Sequence, residues 1–371
     1  MEVHGNKIVL YRMEHKWKLL PLSLSLISAC AIADNYAIEA RGDGMGGVGV
    51  VAGNFLTGSF YNPAITAIYR RNDDLGMITP SFGGQFRNED DLVGDLKDIS
   101  SLIDKAIAGD LSNEAEIDSK LKSLKNSTAS LELGGVVSFA IPNQFVAANF
   151  FGKAYAESFA QIDSYDKARG SAASAINAEL SGVDAVGIGV AEVGLSLAKY
   201  QTFLGQHISF GITPKLQRIY TYVYRANLND YELKDVRDNG TGETMLNLDA
   251  GFLWFYGPVR VGFSAINLVS RDIKSQTLDG TTVVSKIDSS QSRVFKSVAF
   301  DYQMRPQYTV GVGLVGDYAS ISVDYDLREE EKFVSFNDNS RMLRVGGEID
   351  IMRQLKLRAG WNKNLAYDNR E

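Results

Sequence analysis

Through its C-terminal half the chain alternates apolar and polar residues with period two. Tyr308, Val310, Val312 and Leu314 fall on one face, and Thr309, Gly311 and Gly313 on the other. Beyond Gly316-Asp317, Ala319, Ile321, Val323, Tyr325 and Leu327 alternate with Ser320, Ser322, Asp324 and Asp326. Leu343, Val345, Ile349 and Ile351 then oppose Arg344, Glu348 and Asp350, and Leu355, Leu357, Ala359 and Trp361 oppose Lys356, Arg358 and Asn362. Each run is about 9–11 residues long, the span of a tilted transmembrane strand. A soluble sandwich has the same period, so alternation alone does not choose between them.

The connections choose. Joins at Pro142-Asn143, Leu204-Gly205, Gly257-Pro258, Gly316-Asp317 and Met352-Arg353 are short, and those over 162–184, 226–243, 272–306 and 328–340 are long. Strict alternation of short and long joins is the habit of an outer-membrane barrel, with tight periplasmic turns and longer extracellular loops. A Greek-key sandwich has no reason to sort its loops in this way. Aromatics near strand ends (Tyr220, Tyr222, Tyr224, Trp254, Phe255, Tyr256, Tyr318, Trp361) suit interfacial girdles, although aromatics favour strands in general. The expected fold is therefore all-β: an antiparallel transmembrane β-barrel, about 12–14 strands when complete, of which about eleven are visible.

One insertion reads as helical, over residues 92–126. Leu92, Leu96, Ile99 and Ile103 share a helix face that ends near Gly109, and Ile117, Leu121 and Leu124 form a second stripe. Asn113 with Glu116 suggests a capping box, and a short third helix is expected over 172–180, stopped by Gly182. The two main stripes are expected to pack on each other, above the barrel, rather than on a dedicated partner.

The N-terminus carries an export signal. Lys16 and Lys18 precede an apolar run from Leu19 to Ala33, and Ala31-Ile32-Ala33 fits cleavage before Asp34. Ile27-Ser28-Ala29-Cys30 also fits a lipobox; ordinary cleavage is favoured because both the site and the run length suit it. Met13 looks like the natural start, so residues 1–33 are read as an upstream extension plus signal peptide. Residues 34–66 form a glycine-rich plug and 67–371 the barrel.

Export narrows the chemistry. Cys30 is the single cysteine and His207 the one histidine outside the leader, so no disulfide, thiol nucleophile, zinc site or other cofactor site is expected. A formal charge of −7 disfavours nucleic acid as a partner. The mean hydropathy of −0.11 looks soluble, yet a barrel with a polar lumen and an apolar lipid face averages to the same value. His207 and Ser209 share a strand face as a His-x-Ser pair. They are read as solvated lumen residues, and no enzymatic activity is expected.

"RGDGMGGVGVVAG" (residues 41–53) places Gly42, Gly44 and Gly47 in the spacing of a dinucleotide-binding turn. The context contradicts that reading, since a secretion signal precedes it and Gly58 and Pro63 interrupt any following helix. The Arg41-Gly42-Asp43 triplet is too short to carry an adhesion reading. Followed by "FYNPA" (60–64), the glycine-rich run resembles the N-terminal segment of FadL-like outer-membrane transport proteins. The stretches "ITPKLQRIYTYVY", "YGPVRVGFSAINLVSRDIKS", "MRPQYTVGVGLVGDYASISVDYDL" and "LRVGGEIDIMRQLKLRAGWNKN" resemble the conjugal transfer protein TraF family of outer-membrane proteins. That resemblance covers most of residues 40–365. It implies a place in the outer membrane, in contact with its lipid, and Gly44, Gly46, Gly47, Asn62 and Pro63 as plug or fold elements.

The implied function is passage or binding of a small hydrophobic molecule, linked to plasmid conjugal transfer. The alternative is a non-transporting structural or assembly protein of a conjugation or surface apparatus, whose proteins would be its partners. Thioredoxin-like proteins sharing the TraF name use cysteines that the exported chain lacks. Barrels of this kind end on an aromatic strand, whereas this chain ends in "NKNLAYDNRE", so at least one closing strand is expected to be missing. Inside the barrel, Asp324, Asp326, Arg344, Glu348, Asp350 and Arg358 are the lumen-lining candidates. They suit either a selectivity lining or, preferably, a cross-strand salt-bridge network that stiffens the wall.

Overall fold

The computed structural model describes residues 39–366 apart from 71–72, 89–91, 126–127, 229–239, 335, 337 and 353–354. The leader with Cys30, the expected terminus at Asp34, Arg353 of the last turn and the final residues 367–371 lie outside the described residues. Eleven strands form one antiparallel meander: β1 (Gly76–Asn88), β2 (Thr128–Ile141), β3 (Ala147–Asp163), β4 (Gly182–Phe203), β5 (Gln206–Asn227), β6 (Gly240–Tyr256), β7 (Val259–Ile266), β12 (Gln307–Val315), β13 (Ala319–Asp326), β14 (Met342–Ile351) and β15 (Leu355–Asn364). The connection from β7 to β12 holds two small ribbons. In these β8 (Arg271–Ile273) pairs with β11 (Tyr302–Met304), and β9 (Thr281–Val284) with β10 (Ser292–Phe295).

Backbone geometry explains the tight joins. Leu204 and Gly205 both have positive φ (49° and 75°), the twist that suits a two-residue hairpin. Gly257 (φ 56°) and Met352 (φ 55°) reverse the chain at two other joins. The five short joins gather at one end of the sheet and the long connections at the other.

The polarity of the two sheet faces is inverted relative to a water-soluble protein. Side chains such as Leu133, Phe150, Leu216, Val312, Ile321 and Leu357 point outward and are exposed. Glu192, Lys215, Asp249, Asp324, Asp326 and Arg344 point inward and are buried. Of the aromatics expected at the rims, Tyr220, Tyr256, Tyr318 and Trp361 are exposed, whereas Tyr224 is buried and Phe255 packs on the inner side.

The sheet holds the eleven strands counted in the sequence, and closure into a barrel is not found among the described residues. Among the described residues β1 pairs with β2 alone and β15 with β14 alone. An antiparallel meander closes through an antiparallel ladder when the strand count is even; with eleven strands, β1 and β15 run in the same direction. Both edges rest instead on the segment held inside the sheet. Gly76 of β1 meets Leu56 and Phe55, and Gly360 of β15 meets Met45 and Gly46.

Helices α3 (Leu92–Ile107), α4 (Glu114–Leu124) and α5 (Ala173–Glu179) form a layer over the long-connection end. Leu92, Ile99 and Ile103 of α3 pack with Ile117 and Leu124 of α4, Ala175 and Ala178 of α5, and the strand ends Ala129, Ile162 and Val183. Gly109 takes a positive φ of 97° just after α3, as a helix-ending glycine does. The capping box does not form. Asn113 makes no side-chain cap bond, and Glu114 accepts from the amides of Ser174 (2.9 Å) and Ala175 (3.1 Å), tying α4 to the start of α5. Gly182 does not stop α5 but opens β4. Among the described residues no helix is long and apolar enough to cross a membrane.

Truncating Ile103, which is fully buried in this layer, is expected to cost about 2–5 kcal/mol locally. Limited proteolysis at 109–113 in Ile103→Ala should accelerate while thermal unfolding of the sheet stays unchanged. A sheet that unfolds at a lower temperature would show that the layer and the wall are one cooperative unit.

Candidate functional site

The interior of the sheet is filled, level by level. Lowest is the N-terminal segment 39–68, built from α1 (Ala40–Gly44), α2 (Gly58–Tyr61) and a 3-10 turn (Pro63–Ala67). Asn62 is wholly buried and extended (φ −150°), as a residue before proline is held. Its Nδ2 donates to the carbonyls of Val50 (2.9 Å) and Phe252 (3.1 Å), and its Oδ1 accepts from the Ala64 amide (3.0 Å). Pro63 does not lead directly into the first strand. It opens the 3-10 turn, and β1 begins only at Gly76.

Inward glycines of the wall let the segment approach backbone to backbone. A Cβ at Gly251 would lie 2.0 Å from Asn62 Oδ1, and one at its register partner Gly211 would lie 2.3 Å from the Pro63 carbonyl carbon. Gly262 and Gly311 are paired across β7 and β12 and would strike Val51 and Val50 at 2.8 Å. Gly346 and Gly360, paired across β14 and β15, would meet the Met45 backbone at 2.1 and 2.0 Å. On the segment itself, Gly46 (φ 69°) lies against Gly360 and Trp361 and Gly47 has φ 84°, whereas Gly44 is in ordinary contact with Arg358.

Polar side chains of the wall finish the attachment. Asp324 Oδ2 accepts from the amides of Gly49 (2.7 Å) and Val50 (2.9 Å). Ser209 and Ser264 donate to the carbonyls of Ala64 (2.7 Å) and Tyr61 (2.6 Å), and Asn362 donates to Gly46 (3.1 Å). Arg41 donates to Glu348 (3.2 Å) and to the Ala52 carbonyl (2.5 Å). Glu348 also accepts from Arg358 (2.6 Å) and Lys356 (3.3 Å), and Lys356 reaches Asp350 at 3.5 Å. Asp326 binds Arg344 (2.9 Å), Thr309 (2.8 Å) and the Met342 amide (3.0 Å). The six lumen-lining candidates thus divide by task. Asp326–Arg344, Glu348–Arg358 and the Lys356–Asp350 contact tie wall strands together. Asp324 holds the inner segment and Glu348, through Arg41, does both; holding the segment is a task the sequence reading did not assign.

Above the segment lies a charged belt. Lys215 Nζ is 2.9 Å from Asp249 and 3.5 Å from Glu192, and Lys153 is 3.8 Å from Glu192. Gln217 donates to Glu192 (2.8 Å) and accepts from Asn247 (3.0 Å), so each buried charge has partners. Higher still, the connection after β13 folds inward. Phe333 and Phe336 pack with Phe300, Tyr302, Tyr155 and Met304, and the buried Lys332 pairs with Glu157 at 2.7 Å. Asp338 accepts from the Phe333 amide (2.9 Å), and burial pushes its carboxyl up to about 7 despite the nearby Lys332 ammonium.

His207 and Ser209 do not act together: His207 bonds Tyr200 (2.5 Å) and stacks on Phe255, while Ser209 serves the Ala64 carbonyl. No group of three or more His, Cys, Asp or Glu side chains suited to a metal ion exists among the described residues. The wall glycines were missed because a single glycine in a strand carries little signal. Their recurrence at inward positions of β5, β6, β7, β12, β14 and β15 was the available clue.

Two outcomes follow. Asp324→Ala should weaken attachment of the segment by about 1.5–3 kcal/mol, as loss of charge-assisted bonds does, and speed proteolysis at 49–56; unchanged cleavage would remove Asp324 from this task. Asp338 is raised above its ordinary 3.8, so the folded loop holds its proton more tightly than the unfolded chain. Its contribution is full at low pH and lost as pH rises toward about 7. Proteolysis within 328–341 should therefore be faster at pH 8 than at pH 5, after correction for the protease, and Asp338→Asn should flatten that dependence. Equal rates in the parent protein would refute it.

Comparison with known proteins completes the description. No curated protein and no solved structure matches the chain. The family model described as F plasmid transfer operon, TraF, protein matches residues 59–326, from the Asn62-Pro63 turn through the end of β13. That match spans well over half of the chain, which therefore belongs to the F plasmid transfer operon TraF protein family.

Proposed function

We propose that the protein is an outer-membrane component of a conjugal transfer apparatus, with its sheet facing lipid and its interior closed, acting in structure or assembly and not as an open pore. The observation that carries this reading is the inverted polarity of the sheet. Apolar side chains stand exposed along the strands while ionised ones are buried inside, an arrangement that is costly in water and favourable in a bilayer. The short turns would face the periplasm and the helical layer the outside.

The filled interior separates structure from transport. Inner segment, charged belt and inward loop place buried side chains at three levels of the interior. Transport of a small hydrophobic molecule, as in FadL-like proteins, is a second reading with one feature in its favour. The contact between segment and wall is lined by glycines, and such a surface separates without unlocking interdigitated side chains.

Flotation with liposomes and planar-bilayer recording test both. The full-length protein should float in urea and give no steady conductance, and deletion of residues 42–53, which leaves the charged belt and the inward loop in place, should leave it floating and still non-conducting. Failure to float would end the membrane assignment. Steady conductance of the intact protein, or uptake of fatty acids by liposomes containing it, would replace the structural reading with transport.

A further inference from the structure

The outer face holds a trough that the reading above leaves unused. It crosses β1 to β5 near the middle of each strand and reaches Thr244 near the long-connection end of β6. Its floor consists of outward positions without bulk: Gly135 faces Ala154, Ala154 faces Ala191, and Gly152 lies beside them. Leu133 and Leu216 rise at its sides, and the hollow measures about 1050 Å³. That is at the upper end of the roughly 300–1,000 Å³ of ligand pockets.

Of the three charged residues at this apolar hollow, Lys153 and Glu192 are turned inward and paired, and Arg218 alone faces out. Arg218 points outward from β5, exposed, with Nη1 donating to Thr244 Oγ1 (2.9 Å) and its guanidinium over the Tyr220 ring (5.0 Å). Gly242 leaves the space for this pose, since a Cβ there would come 2.8 Å from the Tyr220 ring and 3.1 Å from Arg218 Nη2. The register partners of Arg218 are Thr244 and Ala191, and its neighbours along the same face are Leu216 and Tyr220, all uncharged. Among the described residues no carboxylate faces this guanidinium, so on a lipid-facing surface an anion of the surrounding lipid would supply its counter-charge.

We propose that the trough seats an acyl chain of an anionic phospholipid, with Arg218 pairing the headgroup phosphate. The proposal rests on the outer-membrane reading. The planar fork of arginine suits a phosphate through two parallel bonds, and Thr244 and Tyr220 fix its plane in advance. Small residues on the floor give the chain contact along its length at little cost in side-chain entropy.

The test uses full-length protein, stripped of lipid in a neutral detergent and titrated with dioleoyl phosphatidylglycerol or dioleoyl phosphatidylcholine, with bound lipid counted by native mass spectrometry. One tight phosphatidylglycerol is expected, preferred by roughly tenfold, the equivalent of one charge-assisted pair. Arg218→Gln should erase the preference while choline lipid still binds, and Arg218→Lys should keep part of it. Ala154→Leu with Ala191→Leu should block both lipids; since bulk there risks misfolding, Arg218→Gln alone decides the headgroup claim. Unaltered phosphatidylglycerol binding in Arg218→Gln, or binding of oleate but not of phospholipid, overturns the proposal. Protein that floats with phosphatidylcholine vesicles yet shows no headgroup preference defeats the trough alone, whereas failure to float defeats the membrane reading and the trough with it.

Discussion

Backbone approach between the N-terminal segment and the inward glycines is the constraint on which the rest of the structure depends. Any side chain at Gly251, Gly346 or Gly360 would stand about 2 Å from segment atoms, far inside van der Waals contact. Where the wall has no bulk, the segment's own amides and carbonyls come within reach of Asp324, Ser209, Ser264 and Asn362. The contact also sets how the sheet curls, because strands from β1 to β15 lie against one short stretch of chain. Without that stretch, Asp324 would lose the amides of Gly49 and Val50, and Glu348 its bond from Arg41.

The same contact explains how so polar an interior is tolerated. A buried ion is costly unless paired and hydrogen-bonded, and pairing is found at each level. Arg344 meets Asp326, Lys215 meets Asp249 and Glu192, and Lys332 meets Glu157. Several of these pairs join strands that are neighbours in the sheet, so they stabilise register as well as charge. Lys332–Glu157 differs, since it ties a loop to β3 across the interior. Removing either partner would leave the other charge stranded among aromatic rings.

Much of the sheet was legible in the sequence because period-two alternation and tight-turn residues are local signals. Leu204-Gly205, Gly257-Pro258 and Gly316-Asp317 mark turns regardless of what the sheet encloses. The helical stripes were legible for the same reason, whereas the spacing of Asn113 and Glu116 misled because the Asn113 side chain makes no cap bond. The odd count of eleven strands was legible and leaves β1 and β15 without an antiparallel partner in each other, whereas their rest on the inner segment was not legible. The candidate site was legible by half. Glycine content and Asn62-Pro63 pointed to an inner segment, but the partners of Gly49 and Val50 lie on Asp324, and no local pattern links positions so distant. Phe333 and Phe336 follow the run Glu329-Glu330-Glu331-Lys332, and nothing there announces a side chain that turns inward.

The two closures of the interior differ in kind, and that difference bears on what the protein does in the proposed setting. The lower closure is backbone against glycine, held by a limited set of hydrogen bonds, each worth about 0.5–3 kcal/mol net. The upper one is packed aromatics around a buried ion pair, and breaking such a pair costs about 3–5 kcal/mol before the rings are exposed. A solute arriving from outside would meet the more strongly held barrier first, with no binding energy available to open it. A protein partner on the short-turn side would meet the weaker one and could supply the energy through its own interface. An assembly component acts in that order, which is why the occupied interior fits a structural role in conjugal transfer better than passive transport.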